Sequence, residues 1–480
     1  MTLNESPGHR SGLFVCTFVG LRNRQDIIVA RATPAGVGAV AVVRVSGQGV
    51  FELVDRMLKK PVSNAGSHTV HFRALWDEQG LIDEALLTVF RDPSGYTGDD
   101  TIEISTHGSP YIVDRLIQAL CRLGARPAEA GEFTLRAFLN GKLDLAQAEA
   151  VADVISAESA ASHQAAMAQL RGGISAEISL LRTRLIDFAG LIELELDFSE
   201  EDVEFAKRDE LMQSLSETLQ KVQLLLQTFA QGNAVKEGVQ VVLAGRPNAG
   251  KSTLFNLLLQ EERAIVSDIA GTTRDALEDV ITIEGLRFRL IDTAGIREAT
   301  DTIEKLGIER TYKYLEGGAM ALYVADMAES TPDVLEEDLR ALSGKTRHLL
   351  VLGNKIDLLG EWDAQVWKEA ALAGGSGSFL ALSGKNADDR QRLKTFLLEN
   401  SAFKPISGDL TLITNQRHFH AFLLAESALK RVIVAVQNGT SKELLAFDLR
   451  EALAALGEVT GEITTDDLLD SIFSKFCIGK

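Results

Sequence analysis

Cysteine is nearly absent from this chain of 480 residues, which carries only Cys16, Cys121 and Cys477. The number is odd, no two stand as CxxC, and no Cys/His ligand spacing occurs. A disulfide scaffold or a structural zinc site therefore does not fit, and a reducing cytoplasm is the expected location. Proline is also scarce, at nine residues, and the 40 glycines follow no period, so collagen-like and proline-rich architectures are out. No apolar run approaches the ~20 residues a membrane helix needs, so no membrane partner is expected. Positive charge is in deficit as well: 49 basic against 68 acidic residues leave −19. A surface of that sign repels bulk nucleic acid, so any RNA contact needs a local basic patch or a shared partner.

One segment imitates a leader. Leu13 to Val19 (LFVCTFV) follows His9 and Arg10, as a short signal core would. The small-residue cleavage site is missing, because Leu21, Arg22 and Asn23 follow. The expectation is a disordered tail or a misplaced start codon before residue 25.

What is present divides into zones of different texture. At roughly 100–200 residues per domain, the length suggests about three domains. Residues 25–140 open with short runs rich in Val, Ile, Phe and Thr, such as VGAVAVVRVSG and EALLTVFRD, which read as strands. An amphipathic helix over Ile112 to Leu123 makes this an α+β domain. Residues 141–237 turn helical, with apolar residues every three or four positions through LDLAQAEAVADVISAESAASHQAAMAQL. Across 238–400 strands such as VQVVLAG, MALYVAD and HLLVLGNK alternate with helical stretches, which predicts an α/β domain with a mainly parallel sheet. Residues 401–480 are helical again. About 80 residues bury little alone, so these helices should pack with those of 141–237, making the α/β unit an insertion.

The α/β zone carries a phosphate-binding constellation. Gly245 to Ser252 reads GRPNAGKS and fits GxxxxGK[ST] between a strand and a helix. Asn248, Ala249, Gly250, Lys251, Ser252 and Thr253 should surround the phosphates, with backbone N–H groups and a helix N-terminus facing the negative charge. Lys251 should reach the β and γ phosphates, and Ser252 should bind Mg²⁺. Asp292, Thr293, Ala294 and Gly295 (DTAG) end a strand, as a γ-phosphate-sensing turn would. Asn354, Lys355, Ile356 and Asp357 (NKID) follow another. The Asp357 carboxylate can accept from N1–H and the 2-amino group of guanine, which selects GTP over ATP. Ser383, Gly384 and Lys385 suit a base-supporting loop. The residue after DTAG is Ile296, where many small GTPases place a water-orienting Gln. Arg297, Glu298, Asp301 and Glu304 are the nearby polar candidates to replace it, and the residues alone do not choose among them.

GRPNAGKS, SDIAGTTRD (Ser267 to Asp275) and DTAGIRE resemble the potassium-activated GTPases. ATPAGVGAVAVVRVSG, YTGDDTIEISTHG, GEFTLRAFLNGKLDLAQAEAVADVI and the terminal FCIGK resemble, more narrowly, the tRNA modification GTPase family MnmE, also called TrmE. The resemblance runs from about Gln25 to Lys480. It implies an N-terminal folate-binding domain that dimerises (25–140), a helical-bundle domain in two parts (141–237 and 401–480), and an inserted P-loop GTPase domain (238–400). It further implies a homodimer and an FAD-dependent partner, MnmG (GidA), in a heterotetramer or larger assembly. The implied reaction adds an aminomethyl or carboxymethylaminomethyl group to C5 of the wobble uridine of certain tRNAs. GTP, Mg²⁺, K⁺ and 5-formyl- or methylene-tetrahydrofolate are the implied cofactors.

Carried over residue by residue, Asn248 becomes a potassium ligand, with Ser267, Ile269 and Thr272 completing that site. Asp268, Ala270 and Gly271 then join the GTP-binding stretch, and Thr273 becomes the switch threonine on Mg²⁺. Glu304 matches the catalytic glutamate. Arg44, Glu103, Lys142 and Lys480 map to the folate site, and Cys477 is a possible functional thiol near it. This chain departs from the family at PAGVGAVAV, which has fewer glycines and no arginine, and at Ser109, where a second glycine is frequent. A GTP-binding switch for ribosome assembly and a folate transferase using GTP structurally are the competing readings.

Overall fold

The computed structural model describes residues 26–197, 208–259, 278–292, 320–344, 346, 348–401, 411–438 and 440–479. The chain divides into two compact units, one of residues 1–152 with 457–480 and one of residues 153–456.

The first unit is built on a six-stranded sheet of β1 (Ile28–Arg31), β2 (Val40–Ser46), β3 (Thr69–Asp77), β4 (Gly80–Phe90), β5 (Thr101–His107) and β6 (Arg126–Pro127). Their order is β3-β4-β5-β2-β1-β6, antiparallel except for the β1–β6 pair. Alternation sets the faces: Ala85, Leu87 and Val89 of β4 point inward, as does Ile82 beyond a register shift in the β3–β4 pair, and they join Val43, Val45, Ile102 and Ile104 in one core. The helix Pro110–Leu123 closes over it. It starts with proline in its first turn, ends at left-handed Gly124, and buries Val113, Leu116, Ala119 and Leu120 at helical spacing. The apolar pattern alone starts that helix two residues later, at Ile112, because a proline reads as punctuation although it suits a first helical turn.

The end of the chain belongs to this unit. The helix Asp466–Phe473, capped by Thr465 Oγ1 on the Leu468 N–H, packs Leu469, Ile472 and Phe473 with Leu145 and Ala148. Beyond it Ile478 forms an antiparallel bridge with Ala130. Gly131 permits the approach: its φ is 66°, and a Cβ there would lie 2.7 Å from the Phe473 carbonyl oxygen.

The second unit holds a sheet of β7 (Val239–Ala244), β8 (Glu278–Ile283), β9 (Leu286–Asp292), β10 (Met320–Asp326), β11 (Leu349–Asn354) and β12 (Ser378–Ala381). Its order is β12-β11-β10-β7-β9-β8, parallel except for the β8–β9 hairpin. The hairpin turns at Glu284 and Gly285, both at positive φ. Strands β7, β10 and β11 are buried along most of their length, which is why they read as continuous apolar runs. β7 has β9 on one side and β10 on the other, so the loop leaving it opens at the point where the strand order reverses.

Helices from before and after this α/β portion pack together, as expected of an insertion. Arg208–Gln227 lies along Gln416–Gln437, where Gln223 Nε2 donates to Glu426 Oε1 at 2.8 Å. Phe229 stacks on Phe419 with ring centroids 4.1 Å apart. The Ile413 N–H donates to Thr228 Oγ1 at 3.1 Å. The chain is thus a multidomain α+β protein with an inserted α/β portion.

Candidate nucleotide site and a second polar cluster

The loop after β7 and the loops after β11 and β12 enclose one cavity of about 430 Å³. Its wall contains Asn248 and Gly250 from the first loop, Lys251, Ser252 and Thr253 from the start of the helix Lys251–Leu259 that follows it, Asn354, Lys355 and Asp357 from the end of β11 and its loop, and Ser383, Gly384 and Lys385 from the third. Segments far apart in the chain therefore meet at one place. Parallel topology causes this, since every parallel strand delivers its carboxyl end to the same edge.

Asn354 fastens the loops to one another. Its Nδ2 donates to the Ala249 carbonyl at 2.8 Å, and its Oδ1 accepts from the Gly384 N–H at 2.9 Å. The residue is buried, so both bonds are shielded from water. Gly250 makes the approach possible: at φ 93° it is strained for any side chain, and a Cβ would sit 2.2 Å from Asn354 Nδ2. Lys251 Nζ donates to the carbonyls of Gly245 at 2.6 Å and Arg246 at 2.8 Å. Its ammonium is held at the loop, where a phosphate would meet it.

The base end is ordered by Asp357. Ser383 Oγ donates to Asp357 Oδ1 at 2.6 Å. That bond, with Lys385 and Lys355 nearby, holds the Asp357 carboxyl below the usual carboxylate range, so it is ionised and acceptor-only at neutral pH. Lys355, at positive φ, donates to Asp326 Oδ2 at 2.5 Å. Ser383 N in turn donates to Asp389 Oδ2 at 2.9 Å.

Sequence reasoning misses a clamp on the first loop. Arg246 makes a bidentate pair with Asp338, Nε to Oδ2 at 2.7 Å and Nη2 to Oδ1 at 2.9 Å. Tyr323 Oη also donates to Asp338. Burial works upward on the Asp338 carboxyl, but Arg246 and Tyr323 outweigh it and keep it low; burial and that carboxylate push the Tyr323 phenol up. Nothing in the local pattern marks Asp338, which lies on the helix Pro332–Ser343 among other acids.

Several expected site residues lie outside the described residues: Ser267, Asp268, Ile269, Ala270, Gly271, Thr272, Thr273, Thr293, Ala294, Gly295, Glu304 and Lys480. Asp292 ends β9, adjoining Leu243 of β7.

A second cluster forms in the first unit. Arg44 on β2 and Glu103 on β5 are cross-strand partners, with Nε and Nη2 at 2.9 and 2.8 Å from Oε1. The Arg44 guanidinium lies 5.0 Å from the Tyr96 ring centroid and 5.5 Å from that of Phe133. Burial raises the Tyr96 phenol, whose oxygen is 2.9 Å from Thr134 Oγ1. Lys142 Nζ donates to the Pro93 carbonyl at 2.8 Å, tying it to the loop that carries Tyr96. Cys477 is exposed, and its carbonyl accepts from the Gly131 N–H at 3.5 Å. The aromatic flanks are legible only as part of YTGDD and GEFT, not as neighbours of Arg44.

A mononucleotide-sized cavity at the carboxyl edge of a parallel sheet, walled by GRPNAGKS, NKID and SGK, defines a P-loop protein of the GTPase class. A family model described as the MnmE helical domain matches residues 145–477, and one described as the GTP-binding protein TrmE N-terminus matches residues 27–142. The tRNA modification GTPase MnmE of Cytophaga hutchinsonii is 47% identical over 459 residues, covering 95% of this chain and 98% of that protein. The protein of that name from Christiangramia forsetii is also 47% identical, covering 95% of this chain and 99% of its own. Among solved structures, the G domain of the T. maritima FeoB iron transporter is 28% identical, covering 34% of this chain and 98% of that one, with a TM-score of 0.26. The chain belongs to the tRNA modification GTPase MnmE family.

Proposed function

We propose that this chain binds and hydrolyses GTP to drive modification of the wobble uridine of certain tRNAs at C5, in the cytoplasm, as a homodimer working with the FAD-dependent partner MnmG. The observation that carries the nucleotide part is Asn354, whose one side chain joins the phosphate loop to the base loops around the cavity. In this reading Lys251 moves from the loop carbonyls to the β and γ phosphates. Asp357 reads the guanine edge.

The cavity wall suits the cations this class uses. Ser252 is exposed on it and would hold magnesium together with Thr273; Asn248 is exposed beside it and would hold potassium with Ser267, Ile269 and Thr272. Such cations supply positive charge at the phosphates as the transition state develops. Glu304 is the proposed catalytic residue, orienting water in place of the missing glutamine.

Residues 25–140 are proposed as the folate-binding and dimerising domain, 141–237 with 401–480 as the helical domain, and 238–400 as the GTPase domain. A methylene- or formyl-tetrahydrofolate fits the second cluster. Both Arg44 bonds go to Oε1 of Glu103, which leaves Oε2 as an acceptor for an amino edge. Lys142 and Lys480 would hold the acidic end, and the folate supplies the one-carbon unit when bound. The bridge of Ile478 to Ala130 supports this, because it brings the tail to the fold that carries Arg44.

The deciding experiment is Glu304→Ala in the full chain. GTP affinity should stay within a factor of about three while single-turnover hydrolysis falls on the order of a hundredfold, the usual worth of a positioned acid–base group. Unchanged hydrolysis would reject Glu304, and loss of binding would make it a ligand rather than a catalyst.

A further inference from the structure

An acidic chain that handles RNA must gather its cations somewhere, and the first unit does so at one corner. The loop after the helix Val50–Asp55 carries Arg56, Lys59 and Lys60, all exposed. It is fixed at both ends. Asp55 accepts from the N–H groups of Val62 at 2.7 Å and Ser63 at 3.1 Å. Leu58 bridges to Leu75 of β3, and the Trp76 N–H donates to the Met57 carbonyl at 2.9 Å.

More cations stand beside it. Arg73 Nε donates to the Lys60 carbonyl at 3.1 Å. Lys59 Nζ sits 4.0 Å from the centroid of the Trp76 ring. Arg56 reaches the Leu123 carbonyl at 3.3 Å, next to exposed Arg122. Two of the nearby carboxylates are already engaged, while Glu52 and Glu78 stand exposed at the edge of the group. Asp55 closes the loop, and Asp77, with only 4% of its side chain exposed, is held by Arg115 at 2.6 Å and Arg122 at 3.5 Å. The corner is thus positive on a chain whose sum is −19.

We propose that Arg56, Lys59, Lys60, Arg73 and Arg122 form the surface that receives the phosphate backbone of the RNA substrate. This deepens the tRNA reading and rests on it. Cations on a loop fastened before binding lose little order when phosphates arrive. Phosphate pairing positions an RNA without reading its sequence, which suits a protein whose chemistry is placed elsewhere. The Arg forks and Lys point charges on one rigid rim match spaced phosphates better than a single carboxylate. A second copy of this acidic chain is the competing partner.

The test is the Lys59→Gln/Lys60→Gln double variant of the full chain, titrated with a tRNA transcript at several potassium chloride concentrations. The dissociation constant should rise about tenfold near physiological salt, and the slope of log K against log salt should shrink by about two, one for each lysine that no longer neutralises a phosphate. Lys59→Arg/Lys60→Arg should restore both. GTP turnover without RNA and the elution volume of the protein should not change. An unaltered affinity and slope in the Gln variant, with tRNA still bound by the parent chain, overturns the surface but leaves the tRNA reading standing. A parent chain that binds no tRNA overturns both. A changed elution volume with unchanged tRNA affinity assigns the corner to a second copy and overturns the RNA assignment.

Discussion

The two polar clusters are assembled in opposite ways. The nucleotide cavity takes its residues from contiguous motifs, each at the end of a parallel strand, and its loops are bolted together by Asn354. The Arg44 cluster takes single residues from β2, β5, the loop around Tyr96 and the helix Glu132–Leu139, brought together by strand register and packing. In the first, local sequence and site coincide. In the second, Arg44 and Glu103 are 59 positions apart and meet because antiparallel pairing sets them opposite each other. A site made by loops at one sheet edge tolerates little backbone change. A site made by cross-strand pairs is more exposed to loss of a single charge.

The sharpest way to break this contrast is Gly250→Ala. The added methyl collides with Asn354 and strains a left-handed backbone, so GTP-analogue affinity should fall on the order of a hundredfold, equal to about 3 kcal/mol. The folate binding proposed for the Arg44 cluster should be unaffected. Calorimetric titration of both ligands checks it, and a parallel loss of folate binding would mean the clusters are not independent.

Arg44→Gln should act the other way and less strongly. Removing one charge-assisted partner costs about 1.5–3 kcal/mol, so affinity for 5-formyl-tetrahydrofolate should drop by about ten- to a hundredfold while nucleotide binding holds. Retained folate affinity would detach Arg44 from that role.

The smallest effect concerns a carboxylate in neither cluster. Arg115, bonded at 2.6 Å, holds the Asp77 carboxyl below its ordinary value. A depressed acid stabilises the fold above its unfolded pKa of about 4 and loses that contribution as pH falls through the folded value. The stability gap between the parent chain and Asp77→Asn should therefore be full at neutral pH and close as pH falls below the ordinary carboxylate range. A gap that widens on acidification in denaturant melts would reverse the assignment of charge on Asp77.

Legibility follows the same physics. The buried parallel strands read directly as apolar runs, and the glycine loops between strand and helix announce the nucleotide cavity. The helical zones on either side of the α/β portion also read as partners, since neither could bury its apolar face alone. Pairings between distant residues with ordinary local surroundings are what the sequence hides. Asp338 is one acid among several on an amphipathic helix, yet it anchors Arg246 and Tyr323. Tyr96 and Phe133 flank Arg44 only after the chain has folded. Lys59 and Lys60 look like a solvated pair until β3 brings Arg73 and Trp76 beside them.

The bridge between Ile478 and Ala130 has a further consequence for synthesis. A ribosome delivers the sheet of the first unit before the inserted portion, but the helix Asp466–Phe473 that seats against Leu145 emerges only after that portion has been made. The sheet must wait, unfinished, through the making of the residues between. A polypeptide cut short before residue 466 would then keep the segments that wall the nucleotide cavity and lack the helix that seats against Leu145, so it would leave that part of the first unit's core uncovered.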